Sequence, residues 1–332
     1  MENQIQIRPI DIRRDMDAIA EMIDVAFSGE LAVQGTDIRT EVRMIKKLVP
    51  LISILQRFSE TFRHVFDGFI FEDQGKTIAL VNISRTAPKS KRWEIGNVAT
   101  HPEYRRKGLA RKLVTQVIEH ARRHGAEACT LEVRTVNTPA YELYRDLGFT
   151  HYDSINELKL ENLPDVEPLP AREFSVRPMK LSEWEPRYQL ALREIPADVQ
   201  AFMPINQEEY RIGQIEKVFE PIAKRAQKMD TYRWAFEMDG QLVGYVSLSA
   251  RRVTKVTHNL VLRAAPEHHA ALIEPMLSLA LSKLKTYPKN NTIIAVRSSY
   301  QEFLSVLERY GFVVYDEMHR LGLKLNNNAQ ER

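Results

Sequence analysis

The sequence predicts an α/β chain of two tandem domains, each a mixed, mostly antiparallel sheet flanked by helices. Three observations lead there. Runs with alternating apolar residues and runs with apolar residues three to four apart follow one another as strand, helices, three strands, helix, strand, helix, strand. A length of 332 residues suits two domains. The second half then repeats the motifs of the first.

The elements follow in order. Ile5 and Ile7 alternate in a first strand, residues 4–9, and Met16, Ile19, Ile23 and Phe27 form one stripe of a helix over 14–27. Residues 38–62 are apolar and helical in pattern, with a break at Pro50. Three strands over 67–73, 76–85 and 92–100 read as an antiparallel run. Asp73-Gln74-Gly75 makes the first hairpin turn, and a polar loop over 86–91 makes the second. Leu113, Val117 and Ala121 mark an amphipathic helix ending at Gly125. A strand over 129–134, a short helix over 137–146 and a strand over 151–160 complete the domain. Pro164, Pro168 and Pro170 mark an extended connection. The expected division is 1–163, a linker 164–172, and 173–332.

The turn 105–110, Arg-Arg-Lys-Gly-Leu-Ala, is the chemically pointed stretch. Gly108 lets backbone approach a ligand, and Ala110 keeps the turn open. The first amides of the next helix lack partners inside it and carry the positive end of its dipole, so an anion settles there. Neither a G-x-x-x-x-G-K-[ST] loop nor a G-x-G-x-x-G fingerprint is present, which leaves a pyrophosphate held in another way.

These residues resemble the GNAT superfamily of acyl-CoA-dependent N-acetyltransferases. Its [RQ]-x-x-G-x-[GA] signature reads here from Arg105 to Ala110, and its N-x-x-A-x-x-L-Y-x-x-x-G-F block reads from Asn137 to Phe149. Leu131-Glu132-Val133-Arg134, followed by Asn137 and Tyr144, is most similar to the ribosomal-protein alanine N-acetyltransferases. The resemblance covers the middle third of the chain. It implies acetyl-CoA as co-substrate and direct attack by a primary amine: a protein or peptide N-terminus, a lysine or a small amine. It implies that Val98, Ala99, Thr100, Arg105, Arg106, Lys107, Gly108, Leu109, Ala110, Arg111, Asn137, Ala140 and Tyr144 contact the cofactor. Tyr144 would give the leaving thiolate its proton. Glu132 or Glu94 would be the base, and the sequence leaves that choice open. Residues 38–62 would shape the acceptor pocket. The alternative is a non-catalytic acyl-CoA sensor or scaffold, which intact Glu132 and Tyr144 argue against; a longer acyl donor is a further option.

Composition bounds the rest. A net charge of +3 does not suggest a nucleic-acid or membrane surface. The basic cluster 105–112 lacks the interleaved aromatics of a stacking platform, apart from Tyr104. A single cysteine, Cys129, excludes an intramolecular disulfide and reads as an inert core thiol. No stretch is long and apolar enough to span a bilayer, and the first residues lack a leader pattern, so a cytoplasmic protein is expected. No metal is expected.

The repeat carries its own prediction. Val133-Arg134 through Gly148-Phe149 recurs as Val296-Arg297 through Gly311-Phe312, an offset of 163, and Ile7-Arg8-Pro9 resembles Val176-Arg177-Pro178. The chemistry does not recur. Leu272 stands for Gly108 and Glu274 for Ala110, while Ala295, Tyr300 and Leu307 stand for Glu132, Asn137 and Tyr144. The second domain is therefore expected to bind no coenzyme. His258, His268 and His269 are expected at its surface.

Overall fold

The computed structural model describes residues 5–34, 67–86, 90–180, 182–211, 225 and 227–325. The expected acceptor-shaping region 38–62 lies outside them. The first half contains β1 (Gln6–Pro9), α1 (Ile12–Gln34), β2 (Asp67–Asp73), β3 (Lys76–Arg85), β4 (Arg92–Thr100), a 3-10 turn (Pro102–Tyr104), α2 (Leu109–Arg123), β5 (Ala128–Arg134), α3 (Thr138–Asp146) and β6 (Thr150–Leu160). The second contains β7 (Ser175–Pro178), α4 (Trp184–Glu194), α5 (Ala197–Gln200), α6 (Gln207–Tyr210), β8 (Met229–Met238), β9 (Gln241–Arg251), β10 (His258–Ala264), a 3-10 turn (Pro266–His268), α7 (His269–Leu284), β11 (Thr292–Arg297), α8 (Gln301–Arg309) and β12 (Val313–Lys324).

Two compact units result: residues 1–152 with 320–332, and residues 153–319. In the first, β1 to β4 pair antiparallel in sequence order, β5 joins β4 in parallel, and the end of β12 lies beside β5. In the second, β7 to β10 pair antiparallel, β11 joins β10 in parallel, and β6 pairs antiparallel with β11. The strand expected to close the first domain, residues 151–160, thus gives residues 155–160 to β11 of the second unit. The first unit is closed by the chain's end instead. Leu325 N–H donates to Glu127 O at 2.8 Å, and Thr150 Oγ1 donates to Gly322 O at 3.2 Å. Backbone pairing does not distinguish the two strands, and each carries the same leucine spacing.

Each unit is pinned by the same ion network. Arg8 reaches Asp15 with both terminal nitrogens and Glu72 with Nε; Arg177 does the same with Glu183 and Glu237. On one face of the first sheet, α2 buries Leu109, Leu113, Val114, Val117, Ile118 and Ala121 against Trp93, Ile95, Leu131 and Val133. Burial of each larger side chain contributes roughly 1.5–3 kcal/mol. On the other face, Ile19 and Met22 of α1 pack on Ile70, Leu80 and Ala99. Cys129 is buried in the first core, and burial pushes its thiol up to about 12, as an inert core cysteine requires. Among the described residues, no helix is long and apolar enough to cross a membrane.

Leu321, fully buried in the first core, tests this assignment of the chain's end. Leu321→Ala should cost about 2–5 kcal/mol. Hydrogen exchange should rise first in β5 and α2, leaving β8 to β10 protected; the reverse order would overturn the assignment.

Candidate active site

The site begins with an irregularity in β4. Gly96 pairs with Asn82 and Ala99 with Leu80, so Asn97 and Val98 together oppose Val81 alone. Asn97 takes a left-handed φ of 51°. The bulge shifts the alternation: Trp93 and Ile95 face α2 before it, Val98 takes that side after it, and Ala99 turns into the α1 core. The parallel pairing of β4 with β5 stops at Ile95 and Leu131. Beyond that point β4 carries backbone groups with no β5 partner, next to the turn.

The turn itself is built from left-handed residues. Arg106 has φ 62° and Gly108 φ 75°, and α2 starts at Leu109. The first i to i−4 bond of the helix is Lys112 N–H to Gly108 O, at 3.1 Å. The amides of Leu109, Ala110 and Arg111 lie ahead of it, and no side chain caps the helix. Among the described residues, nothing beyond its chain neighbours stands within 4 Å of where a Cβ on Gly108 would lie, so the space above the turn is open to them. Such a concavity of outward amides binds anions. The buried Thr100 Oγ1 has no hydrogen-bond partner among the described residues.

The cations of the turn differ in their surroundings. Arg105 Nε donates to Thr100 O at 3.3 Å, and Lys107 Nζ lies 4.6 Å from the centroid of the Tyr104 ring. Tyr104 is anchored by its hydroxyl, which donates to Asp73 at 2.9 Å. Arg111 pairs with Asp146 at 2.7 Å in an exposed contact. Leu109, expected among the cofactor contacts, sends its side chain into the core, so only its amide is available to a ligand. Ala99 also turns its side chain into a core, and it lies opposite Leu80 in the β3–β4 ladder.

Asn137 caps α3: its Oδ1 accepts from Ala140 N–H at 3.3 Å. That occupies the Ala140 amide and leaves the Asn137 Nδ2 group for a ligand. Tyr144 is buried beside Phe149, and burial pushes its phenol up to about 12. Its hydroxyl makes no hydrogen bond among the described residues, so it holds its proton through neutral pH.

Glu94 and Glu132 share the sheet face away from α2, because Trp93, Ile95, Leu131 and Val133 occupy the other. Glu94 is exposed at the surface of the sheet; the protein around it and the Glu132 carboxylate raise its pKa, against Arg92 and Arg320. Glu132 accepts a 2.8 Å hydrogen bond from Arg320 Nε. The sequence reading missed Arg320, since nothing in a strand near the chain's end assigns it to the first unit.

The second unit lacks each of these features. β10 pairs with β9 without a bulge. Helix burial repeats at an offset of 163, Leu113, Val117 and Ala121 becoming Met276, Ala280 and Leu284. At that offset Ala271, not Leu272, stands for Gly108, and Ile273, not Glu274, for Ala110. No residue from 265 to 271 is left-handed, and α7 starts at His269, absorbing the turn. His269 and His258, expected at the surface, are buried. His269 Nε2 lies 3.1 Å from Ala264 O with its ring against Tyr300 and Phe303; His258 lies between Arg251 N–H and Pro288 O. Glu274 pairs with Arg309, the Arg111–Asp146 contact with its charges exchanged. Among the described residues, no cluster of three or more His, Cys, Asp or Glu could hold a metal ion.

Comparison with known proteins agrees with this geometry. Residues 45–149 match the acetyltransferase (GNAT) family, and that stretch is a GNAT acetyltransferase domain. GNAT acetyltransferases use acetyl-CoA as co-substrate. Among curated proteins, the chain is 42% identical over 53 residues to the [ribosomal protein bS18]-alanine N-acetyltransferase of Escherichia coli, covering 16% of this chain and 36% of that one. It is 34% identical over 86 residues to the uncharacterized N-acetyltransferase YjgM of Escherichia coli, covering 26% and 52%. The chain thus spans about a third to a half of the length of these relatives. Over nearly the whole chain it shares the fold of a tandem GNAT protein from the clavulanic acid biosynthesis pathway, with a TM-score of 0.61, 14% identity, and 97% and 98% of the two chains covered.

Gly108→Ala should destabilise the chain by about 1 kcal/mol, the cost of a left-handed non-glycine residue, and should weaken acetyl-CoA binding in calorimetry. Unchanged affinity would remove the turn from the site.

Proposed function

We propose that this protein is an N-acetyltransferase that moves an acetyl group from acetyl-CoA to a primary amine by direct attack. The uncapped start of α2, behind the open left-handed turn at Gly108, carries this reading. The amides of residues 108–111, with Arg106, Lys107 and Lys112 at the rim, would hold the coenzyme's diphosphate. Thr100 Oγ1 and the β4 backbone past the bulge supply hydrogen-bonding groups for the pantetheine and thioester carbonyl. Bound acetyl-CoA supplies an activated acyl group.

The remaining work belongs to the chain. As the amine nitrogen bonds to the carbonyl carbon and the C–S bond breaks, the amine gives up a proton and the departing thiolate takes one. We assign the first transfer to Glu94, directly or through water. Its raised pKa makes it a stronger base than an ordinary carboxylate, and Glu132 already holds an ion pair. Tyr144 would donate the second proton from a phenol that stays protonated at neutral pH. The acceptor is a primary amine: a peptide or protein N-terminus, a lysine or a small molecule. The second unit, without a bulge in β10, the open turn or equivalent side chains, is assigned a supporting role without coenzyme.

Thiol release from acetyl-CoA across a panel of amines tests the reading directly; coenzyme binding without turnover on any amine would favour a sensor instead. Tyr144→Phe should lower kcat by about 100-fold while acetyl-CoA affinity stays within a few-fold, a typical loss for a positioned proton donor. Glu94→Gln should abolish the acidic limb of the kcat/KM profile. A wild-type limb in that variant would return the base role to Glu132.

A further inference from the structure

The last strand of the chain brings a cation to the carboxylates of the first unit. Arg320 and Glu132 lie 188 positions apart in sequence, and Arg320 Nε donates to Glu132 Oε1 at 2.8 Å. The Arg320 side chain is about one-fifth exposed and that of Glu132 two-fifths, so solvent screens the pair in part. Arg320 belongs to the first compact unit although its strand begins in the second.

We propose that Arg320 is a positioning residue of the acyl-transfer site: it holds Glu132 in one place and so fixes the charge that Glu94 faces. The geometry supplies the reason. Glu94 on β4 and Glu132 on β5 share a sheet face, and the Glu132 charge opposes the ionisation of Glu94. Arg92 on β4 and Arg320 on β12 are the cations that act on Glu94. Of these, Arg320 is hydrogen-bonded to Glu132, and it acts on Glu94 through that fixed carboxylate as well as through its own charge. Lysine could supply the charge but not the Nε–H that meets Oε1. The second unit shows what the site loses without the pair. Ala295 stands at the position of Glu132, and the residue beside it on β6 is Glu157, which accepts instead from the Tyr315 hydroxyl at 2.8 Å.

This inference rests on the acyl-transfer reading, and its test separates the two. Kinetics on the full chain would compare wild type with Arg320→Gln, Arg320→Lys and Glu132→Gln, with acetyl-CoA affinity measured for each. Glu94 must lose its proton to act. Removing the Arg320 charge raises the Glu94 pKa, so the acidic limb of kcat/KM should move to higher pH in Arg320→Gln. Removing the Glu132 charge should move it to lower pH. Arg320→Lys, which keeps the charge but not the Nε–H that meets Oε1, should return the limb only part of the way to wild type. On the acidic side, Arg320→Gln should lose about fivefold in kcat/KM, the rate equivalent of ~1 kcal/mol for a partly exposed pair.

A second readout does not need turnover. In glutamate labelled with 13C at the carboxyl, the titration midpoint of Glu94 should shift upward in Arg320→Gln and downward in Glu132→Gln. Equal midpoints and pH profiles in all four proteins would overturn the role of Arg320, whatever the fate of the acetyltransferase reading. If acetyl-CoA binds but no amine is acetylated while the midpoints shift as stated, the pairing stands and the reaction does not.

Discussion

The first unit is arranged around a helix start that no side chain among the described residues caps. A helix leaves its first amides unpaired, and a chain ordinarily answers with a side-chain oxygen. This chain does so at α3, where Asn137 Oδ1 accepts from Ala140 N–H. At α2 it places Gly108 at the cap, with no side chain to reach back. Arg106 and Gly108, both left-handed, shape the turn that leads into the helix. The bulge at Asn97 and the end of β4–β5 pairing at Ile95 then open the sheet beside that point.

The second unit shows that folding does not require these features. It keeps the strand directions, the Arg177–Glu183–Glu237 network and the helix burial register, while β10 has no bulge and α7 absorbs the turn. Left-handed non-glycine residues such as Asn97 and Arg106 each cost on the order of 1–3 kcal/mol. A scaffold that folds without them has no structural need for that strain. In the first unit, the strain lies beside the open turn and the orphaned Thr100 hydroxyl, where a ligand would use it.

Much of this was legible in the sequence, for identifiable reasons. The strands 67–73, 76–85 and 92–100 stand where alternation and the Asp73-Gln74-Gly75 turn place them. Gly125 stops α2 in a left-handed conformation, with Ala126 N–H returning to Ala121 O at 3.0 Å. Asn137, expected inside the short helix and on the cofactor, stands one residue ahead of the helix and caps it. Which strand closes which unit was not. Leu158 and Leu160 repeat as Leu321 and Leu323, and local pattern gives either strand the same claim on either sheet. Arg320 was hidden with it, because its partner is chosen by strand pairing. The buried His258 and His269 were misplaced for a related reason: imidazole is polar in composition but goes inside when both ring edges find backbone or aromatic neighbours.

An ion pair whose charges are exchanged between the two units bears on function most directly. Arg111–Asp146 and Glu274–Arg309 occupy equivalent places with opposite polarity. An exposed pair of this kind contributes ~0–1 kcal/mol in either sense, so stability does not choose its direction. The helix dipole does discriminate, because its amino end disfavours cations. In α2, Arg111 and Lys112 stand at the third and fourth helical positions with no acidic residue in the first turn, and Arg105 to Lys107 precede them. That is an unfavourable accumulation of positive charge in the free protein. In the second unit the helix carries a glutamate at the place of Arg111, and the accumulation disappears together with the open turn. A first helical turn left positive against its own dipole is resolved by an anion arriving from outside, and a coenzyme diphosphate has the charge to do so.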